Sequence, residues 1–198
     1  MSKNLIALVV ALFVGAALTV AAVTQPPPII GSPAPQFALQ DQDGKEVKLS
    51  DFAGKIVVLE WFNEECPIVQ RHYKADTMNT LSAKYKGKNV VWLAINSTKG
   101  KTNADNKKAA AAWHMERPIL NDASGKTGHA YQSTNTPGMY VVDAKGNLAY
   151  WGGIDDNING DKATVKNYVS QTLDELLAGQ TVSQPKTQPY GCTVKYAD

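Results

Sequence analysis

Two residues in this 198-residue chain can act as sulfur nucleophiles, Cys66 and Cys192. Cys66 stands where an apolar run, Ile56-Val57-Val58-Leu59, and a hydrophobic pair, Trp61-Phe62, give way through Asn63-Glu64-Glu65 to Cys66-Pro67. A short apolar, β-rich run bounded by polar residues predicts a buried strand, and proline suits the first position of a helix. Cys66 is therefore expected at a strand-to-helix turn, over the partial positive charge of a helix N-terminus, where a thiolate is stabilised. Glu64 and Glu65 oppose this, because adjacent carboxylates raise a thiol pKa. A sulfur so placed can exchange disulfides through a mixed disulfide, or be oxidised by peroxide to a sulfenic acid. The plainer alternative is a small buried filler. Glu60, on the same apolar run, is either a buried carboxylate able to move a proton or a strand-end carboxylate paired with a lysine or reaching water.

Other patterns carry less chemistry. Asp155-Asp156-Asn157-Ile158-Asn159-Gly160 imitates the opening of a calcium loop, but Lys166 stands at the twelfth position, where a bidentate Glu is required. His72, His114 and His129 share no ligand spacing with Cys66, so neither a metal nor a cofactor is implied. Asn96-Ser97-Thr98 matches a glycosylation sequon by pattern alone. A formal net charge of +2, with both signs mixed along the chain and no basic stripe interleaved with aromatics, argues against nucleic acid.

The surrounding elements follow from composition and period. Residues 1–24 open with Lys3, run without charge from Leu5 to Val23 and carry Val20-Ala21-Ala22 as a small-residue cleavage pattern, which reads as a signal peptide. An uncleaved membrane anchor is the alternative. Either way export is expected, to a periplasm or otherwise outside the cytoplasm, where disulfides persist. Residues 25–35 form a proline-rich linker, and 36–178 the domain proper. Residues 37–49 alternate around Asp43-Gly44, a hairpin signal. Residues 67–85 read as one long helix, 89–96 as a second buried strand, 107–115 as an alanine-rich helix, 118–120 as a short strand and 125–131 as a short helix. After Thr136-Pro137 come a strand at 139–142, a turn at 143–146, a strand at 148–151 and an amphipathic helix at 161–177 that Asp161 would cap. Residues 179–198 are a tail without periodicity that carries Cys192. Strands alternating with helices, then a hairpin and a last helix, make an α/β domain with a mixed sheet.

The strand running into Cys66-Pro67-Ile68-Val69, with Glu60 six residues before the cysteine, resembles the active-site segment of the thioredoxin-like superfamily. The resemblance is closest to its redoxin (alkyl hydroperoxide reductase/thiol-specific antioxidant) branch, in the peroxiredoxin-like one-cysteine group. It spans about residues 31–177 and implies a thioredoxin-like fold: a central mixed sheet flanked by helices, with an N-terminal hairpin extension and a C-terminal tail. Val69 replaces the second cysteine of C-x-x-C and Glu65 the usual preceding tryptophan; Asn63 and Leu59 replace the Thr and Pro of the peroxiredoxin motif. The resemblance further implies that Glu60 returns a proton to Cys66, and that Pro137 is a cis-proline facing it. Thr136 would then offer its backbone to an extended substrate, beside Pro67 and Trp61. Arg117 is the better candidate of the two arginines for a peroxidase role. The phrase Gly191-Cys192-Thr193-Val194-Lys195-Tyr196 is similar to the ending of related one-cysteine chains, which implies a partner role for Cys192. As a resolving thiol it would complete an exported thiol–disulfide oxidoreductase acting on a protein or small-molecule disulfide or thiol. The other readings are a thiol peroxidase and a non-catalytic binding module stapled by a Cys66–Cys192 disulfide.

Overall fold

The Asp43-Gly44 signal folds as expected in a computed structural model that describes residues 28–197. Strands β1 (Ala38–Gln40) and β2 (Glu46–Lys48) pair antiparallel, and Asp41 Oδ1 accepts from the amides of Asp43 and Lys45 across the turn. The expected leader at 1–24 lies outside the described residues. Linker residues from 30 onward are docked rather than free: Ile30 packs against the core, Gly31 N donates to Leu148 O, and Ala34 N to Gly146 O.

The apolar run before Cys66 forms β3 (Ile56–Trp61), buried at all six positions. Then follow α1 (Pro67–Lys74), α2 (Thr77–Tyr85), β4 (Val90–Asn96), α3 (Asn103–Ala112), β5 (Ile119–Asn121), α4 (Lys126–Ala130), β6 (Asn135–Thr136), β7 (Gly138–Val142), β8 (Leu148–Gly152), α5 (Tyr168–Leu177) and β9 (Cys192–Thr193). The main sheet runs β2-β1-β5-β4-β3-β7-β8, parallel across β3, β4 and β5 and antiparallel elsewhere. A buried run without alternation is what a central, partly parallel strand requires, because helices cover both its faces. Ile56, Val58 and the Glu60 carboxylate face α1 and α2; Val57, Leu59 and Trp61 face the opposite core with Tyr131 and Tyr140. This is the thioredoxin-like α/β fold. Among the described residues no helix is long and apolar enough to cross a membrane.

Four boundaries differ from expectation. The helix read over 67–85 is two helices, broken at Asp76, which adopts φ 53° as the N-cap of α2. The α3 helix starts at Asn103, where Thr102 and Asp105 form a capping box, and ends before Met115. The last helix starts at Tyr168 rather than Asp161; Asn167, not Asp161, caps it by accepting from Ser170 N. The tail is ordered against the domain: Trp151 N donates to Pro185 O, Val194 N to Thr134 O and Lys99 N to Lys195 O.

Candidate functional site

Cys66 is the N-cap of α1 and Pro67, itself exposed, is the first helical residue, as expected. Asn63 shapes the approach: its side chain accepts from Glu65 N at 2.9 Å and its carbonyl from Cys66 N at 3.1 Å. The sulfur is buried, Cys66 being 2% exposed, and its thiol donates to Thr136 O at 3.0 Å. The Thr136–Pro137 bond is cis, and Pro137 is buried beside it. Strand β6 pairs antiparallel with β9 so that Thr136 lies opposite Cys192. Gly191 makes this approach possible: at φ 119°, a Cβ there would collide with the Thr136 carbonyl. Both cysteines are thiols, and Cys192 packs against the cluster that holds Cys66.

This contact divides the two sulfurs. Burial works against the Cys66 thiolate, but the Cys192 thiol, the Val69 amide, the Thr136 hydroxyl and the Cys192 amide outweigh it. The Cys66 pKa therefore falls below the ordinary thiol value. Cys192 goes the other way, raised by burial and then by its hydrogen bond to Cys66 and that sulfur's charge. The opposition expected from Glu64 and Glu65 is countered by Lys101, whose Nζ lies 2.7 Å from a carboxylate oxygen of each. Glu65 is accordingly held below the usual carboxylate range by its hydrogen bond to Lys101.

Glu60 is fully buried, and its oxygens accept from Tyr73 Oη at 2.8 Å, Trp92 Nε1 at 2.9 Å and Arg117 Nη2 at 3.1 Å. None of these donors is a hydrogen-bond partner of Cys66. Arg117 also donates to Asn79 Oδ1 and Tyr73 Oη, while Arg71 donates to the carbonyls of Asn157 and Ile158. The guanidiniums are thus turned to partners other than the sulfur. The structure does not bring Trp61 to this site either. It lies on the other face of β3, fully buried, with Nε1 donating to Ser97 Oγ and its ring against Tyr131 and Tyr140. A period of two separates it from Glu60, so one of the pair had to face away.

Sequence reasoning passed over Lys101, which lies far along the chain, and the buried group Tyr190, His72 and Asp155. Tyr190 left one signal, an aromatic directly before Gly191-Cys192. Among the described residues no cluster of His, Cys, Asp or Glu could hold a metal ion.

Residues 30–151 match the model of the AhpC/TSA family. A thiol-disulfide oxidoreductase ResA of Geobacillus thermodenitrificans is 31% identical over 119 residues, 60% of this chain and 66% of that relative, just under two thirds of its length. An uncharacterized conserved protein of Geobacillus kaustophilus superposes with a TM-score of 0.79 at 28% identity, covering 85% of this chain and 93% of its own. A hypothetical protein of Sinorhizobium meliloti, 24% identical, superposes at 0.78 over 87% of this chain and 97% of its own, a likeness of fold.

Proposed function

The chain belongs to the AhpC/TSA family, and from that premise we propose that it is a thiol–disulfide oxidoreductase in which Cys66 is the nucleophile and Cys192 the resolving thiol. The observation that carries this reading is the pairing of β9 with β6, which sets Cys192 opposite Thr136, the residue whose carbonyl accepts from the Cys66 thiol, and packs Cys192 against the core cluster that holds Cys66. The name that the similar Geobacillus protein carries, thiol-disulfide oxidoreductase, supports the same class of chemistry. The Cys66 thiolate attacks one sulfur of a substrate disulfide, and the other leaves as a thiolate. Cys192 then attacks Cys66 through its own sulfur, gives its proton to the departing thiolate and closes the Cys66–Cys192 disulfide. Two electrons have passed to the substrate, and an external dithiol returns them. Because β9 covers Cys66, substrate enters when that two-residue pairing opens; Thr136, Pro137 and the exposed Pro67 then border the sulfur. We assign Glu60 to tying β3, β4 and the approach to β5 together through Trp92 and Arg117. Export directed by residues 1–24 completes the proposal, since a redox-cycling pair suits an oxidising compartment.

The peroxidase reading would have Cys66 reduce a hydroperoxide and its sulfenic acid condense with Cys192, releasing water. Asn63 in the threonine position and two arginines engaged elsewhere weaken it. Purified protein assayed for insulin reduction and for hydroperoxide consumption separates the two. We expect insulin reduction, its loss in Cys66→Ser, and a trapped mixed disulfide on Cys66 in Cys192→Ser. Peroxide turnover without insulin reduction would reverse the order, and full activity in Cys66→Ser would end both readings.

A further inference from the structure

Two residues before Cys192, the tail places a hydroxyl between a histidine and a carboxylate in the interior. Tyr190 Oη donates to Asp155 Oδ1 at 2.5 Å and lies 3.0 Å from His72 Nε2; the three residues are 7%, 4% and 4% exposed. A hydroxyl has one proton. Since that proton goes to Asp155, the tyrosine oxygen accepts from His72, and the imidazole carries its proton on Nε2. Burial above all lowers the His72 pKa, which keeps the ring neutral near pH 7. Burial, then Asp155, raises that of Tyr190, which keeps its proton.

The placement of the three residues gives the contact its meaning. His72 sits on α1, the helix that Cys66 caps, and Asp155 follows β8, held by Asn157 N donating to Oδ1 at 2.9 Å. Tyr190 therefore ties the tail to the same rigid helix that carries Cys66, one glycine away from Cys192. From the far side, Gly191 threads past the Thr136 carbonyl with no room for a side chain.

We infer that Tyr190 is a positioning residue for the disulfide step: its hydroxyl, clamped between His72 and Asp155, holds Cys192 against Cys66 and so sets the dithiol–disulfide equilibrium of the pair. This rests on the reading of the two cysteines as a redox couple. Without the clamp the segment between Pro189 and β9 loosens, and the effective concentration of Cys192 at Cys66 falls. A mixed disulfide on Cys66 then outlives the attack that should resolve it.

The full chain is equilibrated with mixtures of reduced and oxidised glutathione, quenched in acid and read by mass. One glutathione disulfide takes two electrons and two protons from the cysteine pair and leaves as two thiols. The wild type is expected to pass from dithiol to intramolecular disulfide with little adduct. In Tyr190→Phe, the disulfide-forming equilibrium constant drops about tenfold, roughly 30 mV for a two-electron couple, and a glutathione adduct on Cys66 accumulates. Tyr85→Phe removes a comparable buried hydroxyl, one bonded to Ser170 and Asp174 at α5, and is expected to match the wild type. Asp155→Asn gives the same shift from the other end of the clamp, and serves if Tyr190→Phe does not fold. An equilibrium constant within twofold of wild type in both clamp variants, or an equal fall in Tyr85→Phe, overturns the positioning role and leaves the redox couple standing. A wild type that forms no intramolecular disulfide at any ratio overturns the couple, and the clamp with it.

Discussion

A sulfur taken out of water becomes a better nucleophile only if its anion meets donors that replace the lost solvent. At Cys66 those donors come from Cys192, Thr136 and the first turn of α1, and the Cys192 thiol is the one a substitution removes most cleanly. The thiolate is the deprotonated form, so alkylation of Cys66 speeds up as pH rises, with a midpoint below that of an ordinary thiol. Cys192→Ala deletes the side-chain donor and moves that midpoint upward, slowing alkylation at pH 7 by about three- to tenfold, since each tenfold in thiolate fraction is one pH interval of titration. Cys192→Ser keeps a hydroxyl donor and falls between. Iodoacetamide rates followed across pH check this, and coinciding curves for the three proteins would remove the sulfur–sulfur contact from the account. Lys101→Met acts in the same direction by freeing the charges of Glu64 and Glu65 beside the sulfur. The nucleophile was legible in the chain because strand, turn and Pro67 are consecutive. Its electrostatic surroundings were not, because Lys101 arrives from the loop before α3.

Elements place these residues, and two contacts between elements are exposed to test. At Gly191 an added Cβ collides with a backbone carbonyl at a positive φ, so Gly191→Ala must push β9 off β6. We expect a loss of about 1–3 kcal/mol, the usual range for a strained backbone position, together with faster alkylation of Cys66 as its cover lifts, read at alkaline pH where the thiol is ionised in both proteins and the lost Cys192 donor no longer matters. Unchanged alkylation would show that β9 does not shield the sulfur. At Glu60, the Arg117 ion pair and the Trp92 bond link β3, β4 and the start of β5. Glu60→Ala leaves a buried guanidinium without its counter-charge, a change that costs about 3–5 kcal/mol in comparable pairs, read from urea unfolding. Insulin reduction per folded molecule should stay within about twofold in Glu60→Gln; general acid–base roles contribute far more, some hundredfold or greater, so a fall of that size would restore Glu60 as the proton carrier. The strands of this framework were readable as apolar runs. Helix ends were not: apolar spacing continues across Asp76 although the backbone turns left-handed there. Residues 161–167 look helical until Asp156 draws in Lys162 and the Lys166 amide. The start of α3 at the Thr102–Asp105 box lies in a polar stretch without apolar spacing, so no period marked it.

Across the whole molecule, residues 179–197 belong to the folded unit. Thr187 bonds Tyr150 and the Gly153 amide, Val194 enters the second core, and Tyr196 stacks on His129 over Gly125 and Gly128. Single side chains make these contacts at irregular intervals, so no periodicity could have announced them. A docked tail changes what a Cys66–Cys192 disulfide does. Closing a loop of roughly 125 residues restricts the unfolded chain by about 4–5 kcal/mol in the chain-entropy model, while the folded chain already packs Cys192 against the cluster that holds Cys66 and gives up little. At about 2–4 °C per kcal/mol for a protein of this size, oxidation should raise the Tm by about 8–20 °C, and Cys192→Ser should not respond to oxidant. Thermodynamic linkage requires the same free energy to appear in the bond, because whatever the disulfide adds to folding, folding adds to the disulfide. At roughly 30 mV per 1.4 kcal/mol, the folded pair is then about 100 mV more reducing than the same pair in urea-unfolded chain. A shift of that sign favours passing electrons to substrate disulfides, which is the direction proposed for this site. Equal Tm values for oxidised and reduced protein would mean that native strain cancels the loop term, and folding would then add nothing to the reducing power of the pair.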